Sequence, residues 1–162
     1  SLERFAYFLS TLFIFDIRII YMENAIEKIQ EFHGHTGIWA ALGYRTGLFA
    51  KSLLLPEKMK DLQANIKIPY KTPHSCFLDG IQISSCCTLG KCNIRFENSD
   101  RIEAFFENNK TDKKIKIELN DKILDEIKFK EEHKLCTHKS EIENTKWILS
   151  KTDEELFTII SS

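Results

Sequence analysis

Apolar positions along the chain follow a helical period first and an alternating one later. After Asn24, with Glu27 in a capping-box relation to it, Ile26, Ile29 and Phe32 fall on one helical face, and Gly34 supplies a stop. Ile38 to Leu55 is apolar nearly all round, with Arg45 and Lys51 as its only charges, and reads as a central buried helix. Ala40, Gly43, Gly47 and Ala50 form a row of small residues along it that lets a neighbouring element come close. Arg45 between the two glycines favours packing in a soluble core over a membrane dimer. Pro56 follows, then an expected short helix over Glu57 to Ala64 and a short strand over Ile66 to Ile68 ending at Pro69. Pro73 is expected to keep the chain extended before Cys76, and a short helix follows over Asp79 to Ser85. Cys87 to Lys91 reads as a turn around Gly90.

From Asn93 the period becomes two. Asn93 to Glu97, Arg101 to Glu107 and Lys114 to Leu119 alternate as half-buried strands, joined by the turn-forming segments Asn98-Ser99-Asp100 and Asn108 to Asp112. The expected fold class is α+β: an antiparallel meander packed on the central buried helix, with helices at the C-terminus. Leu124 to His138 fits strand or helix. Ser140 with Glu143, and Thr152 with Glu155, have the capping-box pattern, and each is expected to open an amphipathic helix. The second of these would bury Leu156, Phe157 and Ile160.

Residues 1–21 stand apart as an apolar N-terminal extension. Phe5 to Phe15 is uncharged and strongly apolar, but a spanning helix needs about 20 residues, and Asp16 and Arg18 interrupt the run. The basic start of a signal peptide is weak and its cleavage site is not evident. The stretch reads either as a strand or helix added to the domain or as a non-native extension ahead of Met22. Residues 22–162 then make one domain. Among 162 residues, 43% are hydrophobic and 29% charged, which is globular and argues against disorder. A net charge of -1 gives no general attraction to nucleic acid. Five cysteines, irregularly spaced and with Cys86 next to Cys87, suit reduced thiols in a cytoplasm better than a disulfide framework.

The candidate chemistry gathers in two stretches that we expect to meet in space. Phe32-His33-Gly34-His35 and the run from Cys76 to Asn93 hold two of the five histidines and four of the five cysteines. Imidazole and thiolate together suit zinc, and three donors with an open position are the catalytic form. His33, His35 and Cys87 would supply that set, with Cys76 as a fourth. Residues two apart in a helix point about 200° apart, so joint ligation by the histidines needs the turned backbone that Gly34 permits. The spacing has neither C-x-x-C nor H-E-x-x-H, and the plainer alternative makes His33 a helix-end residue, His35 exposed and the cysteines small core residues. Asp79 would act as a base or orient a histidine, or simply cap a turn.

TLGK fails as a nucleotide loop, because Ser85 and Cys92 stand where Gly and Ser or Thr are needed. A turn presenting amides and Lys91 to a small anion is still compatible with it. The vicinal Cys86 and Cys87 raise a third alternative, thiol redox chemistry, with Cys87 a nucleophile if a neighbour lowers its pKa. His74, His133 and His138 have no evident partners and read as surface residues.

FHGHTGIWAALGYRTG followed by SCFLDGIQISSCCTLGKCN resembles the E-subunit family of formylmethanofuran dehydrogenase, with its FHGH segment, LGYR-type helix, DGIQ or DAIQ segment and GCTLGKGN. The resemblance covers about Met22 to Leu119. It implies an α+β core, a homodimer and a metal site, with zinc the expected ion, near His33, His35 and Cys87. Asp79, Gln82 and Lys91 fall on DGIQ and GKGN positions and would position a small anionic or carbonyl ligand. It also implies a role in one-carbon metabolism and methanogenesis, as an accessory subunit of the molybdenum or tungsten formylmethanofuran dehydrogenase or as a small metal-dependent enzyme. The alternative is a non-catalytic binding subunit with a closed, structural metal site. The chain departs from the pattern in three ways. Thr36-Gly37-Ile38 replaces the Cys or Gly and Pro often found after FHGH, and Cys86 and Cys92 replace two glycines. The C-terminal zinc finger of some members is missing, since Cys136 alone lies in the tail. If those glycine positions have positive φ, a cysteine there is strained by about 1 kcal/mol or more.

Overall fold

Alternation along Leu62–Ile68 (β1) turns Leu62, Ala64, Ile66 and Ile68 inward and leaves Gln63 and Asn65 in water. β1 lies inside a five-stranded sheet with Ile94–Asn98 (β2), Glu103–Asn108 (β3), Lys113–Leu119 (β4) and Phe157–Ser161 (β5), in the order β2-β1-β3-β4-β5. The structure, a computed structural model, describes residues 2–161, without the side chains of residues 2–10, 12, 15 and 161. Its helices are Leu2–His33 (α1), Ile38–Leu54 (α2), Cys76–Ser85 (α3), Asp121–Glu132 (α4), Glu141–Ser150 (α5) and Asp153–Leu156 (α6). This is the expected α+β class, with a mostly antiparallel sheet.

The expected central helix is α2. It is buried from Ile38 to Gly47 and packs against α3, α5 and the sheet. Its small residues work as anticipated. A Cβ on Gly43 would lie 1.9 Å from the Phe77 carbonyl oxygen, and one on Gly80 would lie 2.0 Å from that of Ala40, so backbone meets backbone where α2 and α3 cross. Arg45, itself buried, reaches across to α5. Its Nη1 donates to the carbonyls of Ile148, Leu149 and Lys151, and its Nη2 pairs with Asp153 at 2.7 Å. One cation thus gathers the carbonyls at the end of α5, of which that of Ile148 also accepts the Lys151 amide.

On the outer face of the sheet, Lys67 and Lys116 both lie over the Phe105 ring and both pair with Glu103. Like charges on β1 and β4 are held apart by the aromatic and the carboxylate of β3 between them.

Several elements differ from the sequence expectation. The helix expected over 57–64 is one 3-10 turn, Met59–Asp61, because the alternating pattern of β1 begins at Leu62. Residues 72–75 turn where an extended run was expected. β2 does not join β3 in a meander: β1 lies between them, pairing parallel with β2 and antiparallel with β3. Residues 121–132 are helical, settling the ambiguous segment. The Thr152–Glu155 capping box forms, but it opens one turn and then β5, which buries Leu156 and Phe157 and leaves Ile160 exposed. Ser140 makes no side-chain cap to α5; its hydroxyl closes the preceding turn with Thr137.

Asn24 is not a cap either. α1 runs through it from Leu2, since no glycine or proline interrupts residues 2–33. Phe13, Ile14, Ile17 and Ile20 project into solvent from this helix; the side chains of the apolar run before Thr11 lie outside the described residues. Among the described residues, no helix is long and apolar enough to cross a membrane.

Candidate functional site

α1 ends at His33, and Gly34 then takes a left-handed φ of 86° that swings the chain toward α2. The glycine contacts between α2 and α3 place the first turn of α3 beside this corner, so the two chemically dense stretches meet. His33 Nδ1 lies 2.6 Å from Asp79 Oδ2. Gln82 Nε2 donates to Asp79 Oδ1 at 3.4 Å, and Gln82 Oε1 accepts the Leu89 amide at 3.1 Å. The polarity of the relay follows from the fixed donor at its far end. Leu89 N–H requires the amide oxygen, which turns the amide nitrogen to Asp79, and the carboxylate in turn accepts the His33 Nδ1–H.

That tautomer leaves a lone pair on His33 Nε2. This atom is buried, in a side chain only 9% exposed, and has no hydrogen-bond partner among the described residues. A buried imidazole nitrogen without a partner costs free energy unless something occupies it. An imidazole with a carboxylate on one nitrogen and a free lone pair on the other is the arrangement that orients metal-binding histidines. The donor set around it fits a borderline metal ion in kind. The His35 ring packs 4.3 Å from the His33 ring, tilted at 34°, and His33, His35 and Cys76 share the wall of a cavity of about 400 Å³. Glu131, Cys136 and Glu141 face the same space. Among the described residues, no three or more of these donors are already arranged to hold an ion.

A second cavity, of about 440 Å³, opens on the other side of the cluster. His33 and Cys76 line both, and Asp79, Gln82 and Leu89 line the second. Burial pushes the Cys76 thiol up, and the nearby Asp79 carboxylate pushes it further. Both effects favour the protonated thiol.

Cys87 is not brought to the histidines. Cys86 takes a left-handed φ of 61°, and the chain turns so that the Cys87 thiol is fully buried, donating to the Leu62 carbonyl at 3.5 Å. Burial raises its pKa as well. Lys91 is exposed and lines neither cavity beside His33; its amide closes the turn on the Thr88 hydroxyl. The rest of the turn is scaffold. Asn93 accepts the Thr88 amide and donates to the Leu62 carbonyl, fastening it to β1. Cys92, like Cys86, has positive φ, at 56°, so both cysteines standing in place of family glycines hold the conformation that glycine favours.

Sequence reasoning missed Cys136, whose spacing ties it to nothing, and Tyr70, Lys71 and Phe96, which line the second cavity. It also placed His74 on the surface. The His74 ring instead packs 4.5 Å from Trp39, tilted at 47°, with its Nδ1 buried and without a partner among the described residues. The Trp39 indole nitrogen in turn donates to Glu131.

Comparison with curated proteins returns no match. Residues 32–158 match the family model described as FmdE, Molybdenum formylmethanofuran dehydrogenase operon, and the chain belongs to that family.

Proposed function

We propose that this FmdE-family chain is a metal-binding protein that serves a formylmethanofuran dehydrogenase in one-carbon metabolism. It would act there as an accessory subunit or as a small metal-dependent enzyme, in the cytoplasm and as a homodimer. The observation that carries the metal reading is the unpartnered, buried Nε2 of His33, oriented from behind by Asp79. His33, His35 and Cys76 are the residues that would hold a divalent ion, zinc by the softness of the set. Cys76 takes the part that spacing had assigned to Cys87. Rotation of the exposed His35 and the half-buried Cys76 would complete the set.

A bound ion would polarise the oxygen of a small carbonyl or anionic ligand. The protein supplies the rest. Asp79 fixes the His33 tautomer, Gln82 holds Asp79 in place, and the Leu89 amide holds Gln82. Ligation by Cys76 would require loss of its proton to solvent, which a bound ion would favour.

Elemental analysis of protein purified without a His tag tests the reading. About one equivalent of zinc, lost in His33→Ala and Cys76→Ser but kept in Cys87→Ala, is the expected result. Less than about a tenth of an equivalent of any divalent metal, even after incubation with zinc, would overturn it.

A further inference from the structure

The second cavity has a wall that the metal reading leaves unused. Tyr70 and Phe96 stack there with centroids 4.5 Å apart and planes at 29°, yet the two are 58% and 40% exposed. Leu89, 60% exposed, faces the same space. An aromatic pair and a leucine left in water around a cavity with a polar floor is the composition of a small-molecule site: apolar walls and a few convergent polar groups. The floor is the His33, Asp79 and Gln82 relay. Lys71 lies in the wall beside Tyr70 and makes no ion pair among the described residues. It is the one cation in that wall, and the one carboxylate, Asp79, is engaged by His33 and Gln82.

We propose that this cavity binds a flat-ringed small molecule bearing a carboxylate, with the ring against Phe96 and Leu89 and the carboxylate toward Lys71. The shape follows from the stacked pair, whose faces accept an offset ring better than a branched aliphatic group. The charge follows from the free lysine. The volume, about 440 Å³, suits a compound of two or three fused rings rather than a polymer. The inference rests on the reading that the His33–Asp79 cluster is the functional site and names what that site would receive. The ring side does not require the ion.

Titration calorimetry of naphthalene-2-carboxylate on the full chain tests this, with zinc content measured on every sample. Cyclohexanecarboxylate is the non-flat comparator, and 2-naphthalenemethanol the uncharged one. Naphthalene-2-carboxylate is expected to bind more tightly than either. Phe96→Ala should weaken it about fivefold, and Leu89→Ser should weaken it in the same direction. Lys71→Met should weaken the carboxylate about threefold and leave 2-naphthalenemethanol unchanged. The zinc content of all three variants should match that of the parent.

Phe96 and Leu89 are both exposed, and circular dichroism of each variant confirms that it is folded. Absence of binding at about 1 mM naphthalene-2-carboxylate to the folded parent would overturn the proposal. So would binding indifferent to Phe96→Ala, Leu89→Ser and Lys71→Met alike. Protein that takes up no zinc even after incubation with it, yet binds with the expected dependence, would overturn the metal reading and leave this one standing.

Discussion

His33 and Asp79 touch at 2.6 Å across 46 positions of sequence, and this contact joins the two chemically dense stretches of the chain. Asp79 receives two donors, one on each oxygen. Asp79→Asn keeps the size but leaves one acceptor oxygen for both. The expected loss of stability is about 1 kcal/mol, read from the urea midpoint. The expected loss of zinc affinity is about ten- to a hundredfold, read by competition with a chelator. Unchanged affinity would show that Asp79 does not orient His33 for ligation.

Gly80 sits where α2 and α3 touch through backbone. A methyl there meets the Ala40 carbonyl at 2.0 Å and the Tyr44 amide nitrogen at 2.4 Å, and neither can move without its helix. Gly80→Ala should cost about 3 kcal/mol or more, at the upper end of overpacking penalties. Because Asp79 precedes it, the His33 contact should weaken with it. A thermal melt and zinc affinity measured on the same variant check both. Gly90 has nothing within 4 Å of its would-be Cβ and no positive φ, so Gly90→Ala is the control expected to be nearly neutral.

Cys92 is exposed and holds a φ of 56°. Cys92→Gly removes strain of about 1–2 kcal/mol but gives the unfolded chain more freedom, worth about 0.4–1 kcal/mol. The net expectation is stabilisation by about 0.5–1 kcal/mol. Cys92→Val, β-branched at the same φ, should destabilise by about 1 kcal/mol or more. Chemical denaturation of the pair decides whether the backbone reading is correct; a Val variant as stable as the Gly variant would refute it.

Arg45 gathers the end of α5 onto α2. Arg45→Met keeps much of the packing volume but removes the guanidinium from Asp153 and from three carbonyls. Among the described residues only that of Ile148 keeps another donor, the Lys151 amide, so a loss of about 3 kcal/mol is expected. Asp153→Asn should cost less, because Asp153 is half exposed and the carbonyl bonds survive. Hydrogen exchange should show α5 opening earlier in Arg45→Met than in the parent.

Burial pushes the Tyr44 phenol from 10.0 up to about 12, with Tyr21 adding to the rise. The folded state therefore favours the neutral phenol. The stability this represents is fully present below about pH 10 and is lost as pH rises toward 12. Tyr44→Phe should flatten the fall in urea midpoint between those values. A slope unchanged in Tyr44→Phe would assign the alkaline loss to other groups.

Local pattern carried part of this structure and long-range pairing carried the rest. The apolar girth and small-residue row of α2, the helix at Gln82 and the alternation of β3 and β4 are each set by neighbours in sequence, and each was legible there. That Cys86 and Cys92 would be strained was legible only through the family pattern, which has glycine at both places. The partner of β2 was not legible, because Ile94 and Phe96 alternate identically whether they pair with β1 or β3. The sequence set Cys87 ahead of Cys76 as a candidate ligand, and only the left-handed turn at Cys86, remote from any local pattern, faces Cys87 to β1 and leaves Cys76 beside His33. The capping box at Thr152 misled for a similar reason. A capping box specifies how a helix starts, not how many turns follow, and Phe157 is claimed by Leu119 of β4 after one turn.

The single parallel pairing in the sheet bears on how such a protein can change its ligand. β1, α3 and β2 form a strand–helix–strand unit, and residues 69–75 leave β1 at its carboxyl end to reach the first turn of α3. Tyr70 and Lys71 belong to that connection, whereas Asp79 and Gln82 belong to the helix behind it. Of the groups that would recognise a ligand, Tyr70 and Lys71 are thus carried by a loop outside the ladder, whereas Phe96 is held in β2 opposite Ile66 and Asp79 and Gln82 are locked by helix crossing. If the cavity binds as proposed, substitutions at Tyr70 and Lys71 would alter what it accepts while leaving the His33–Asp79 relay in place.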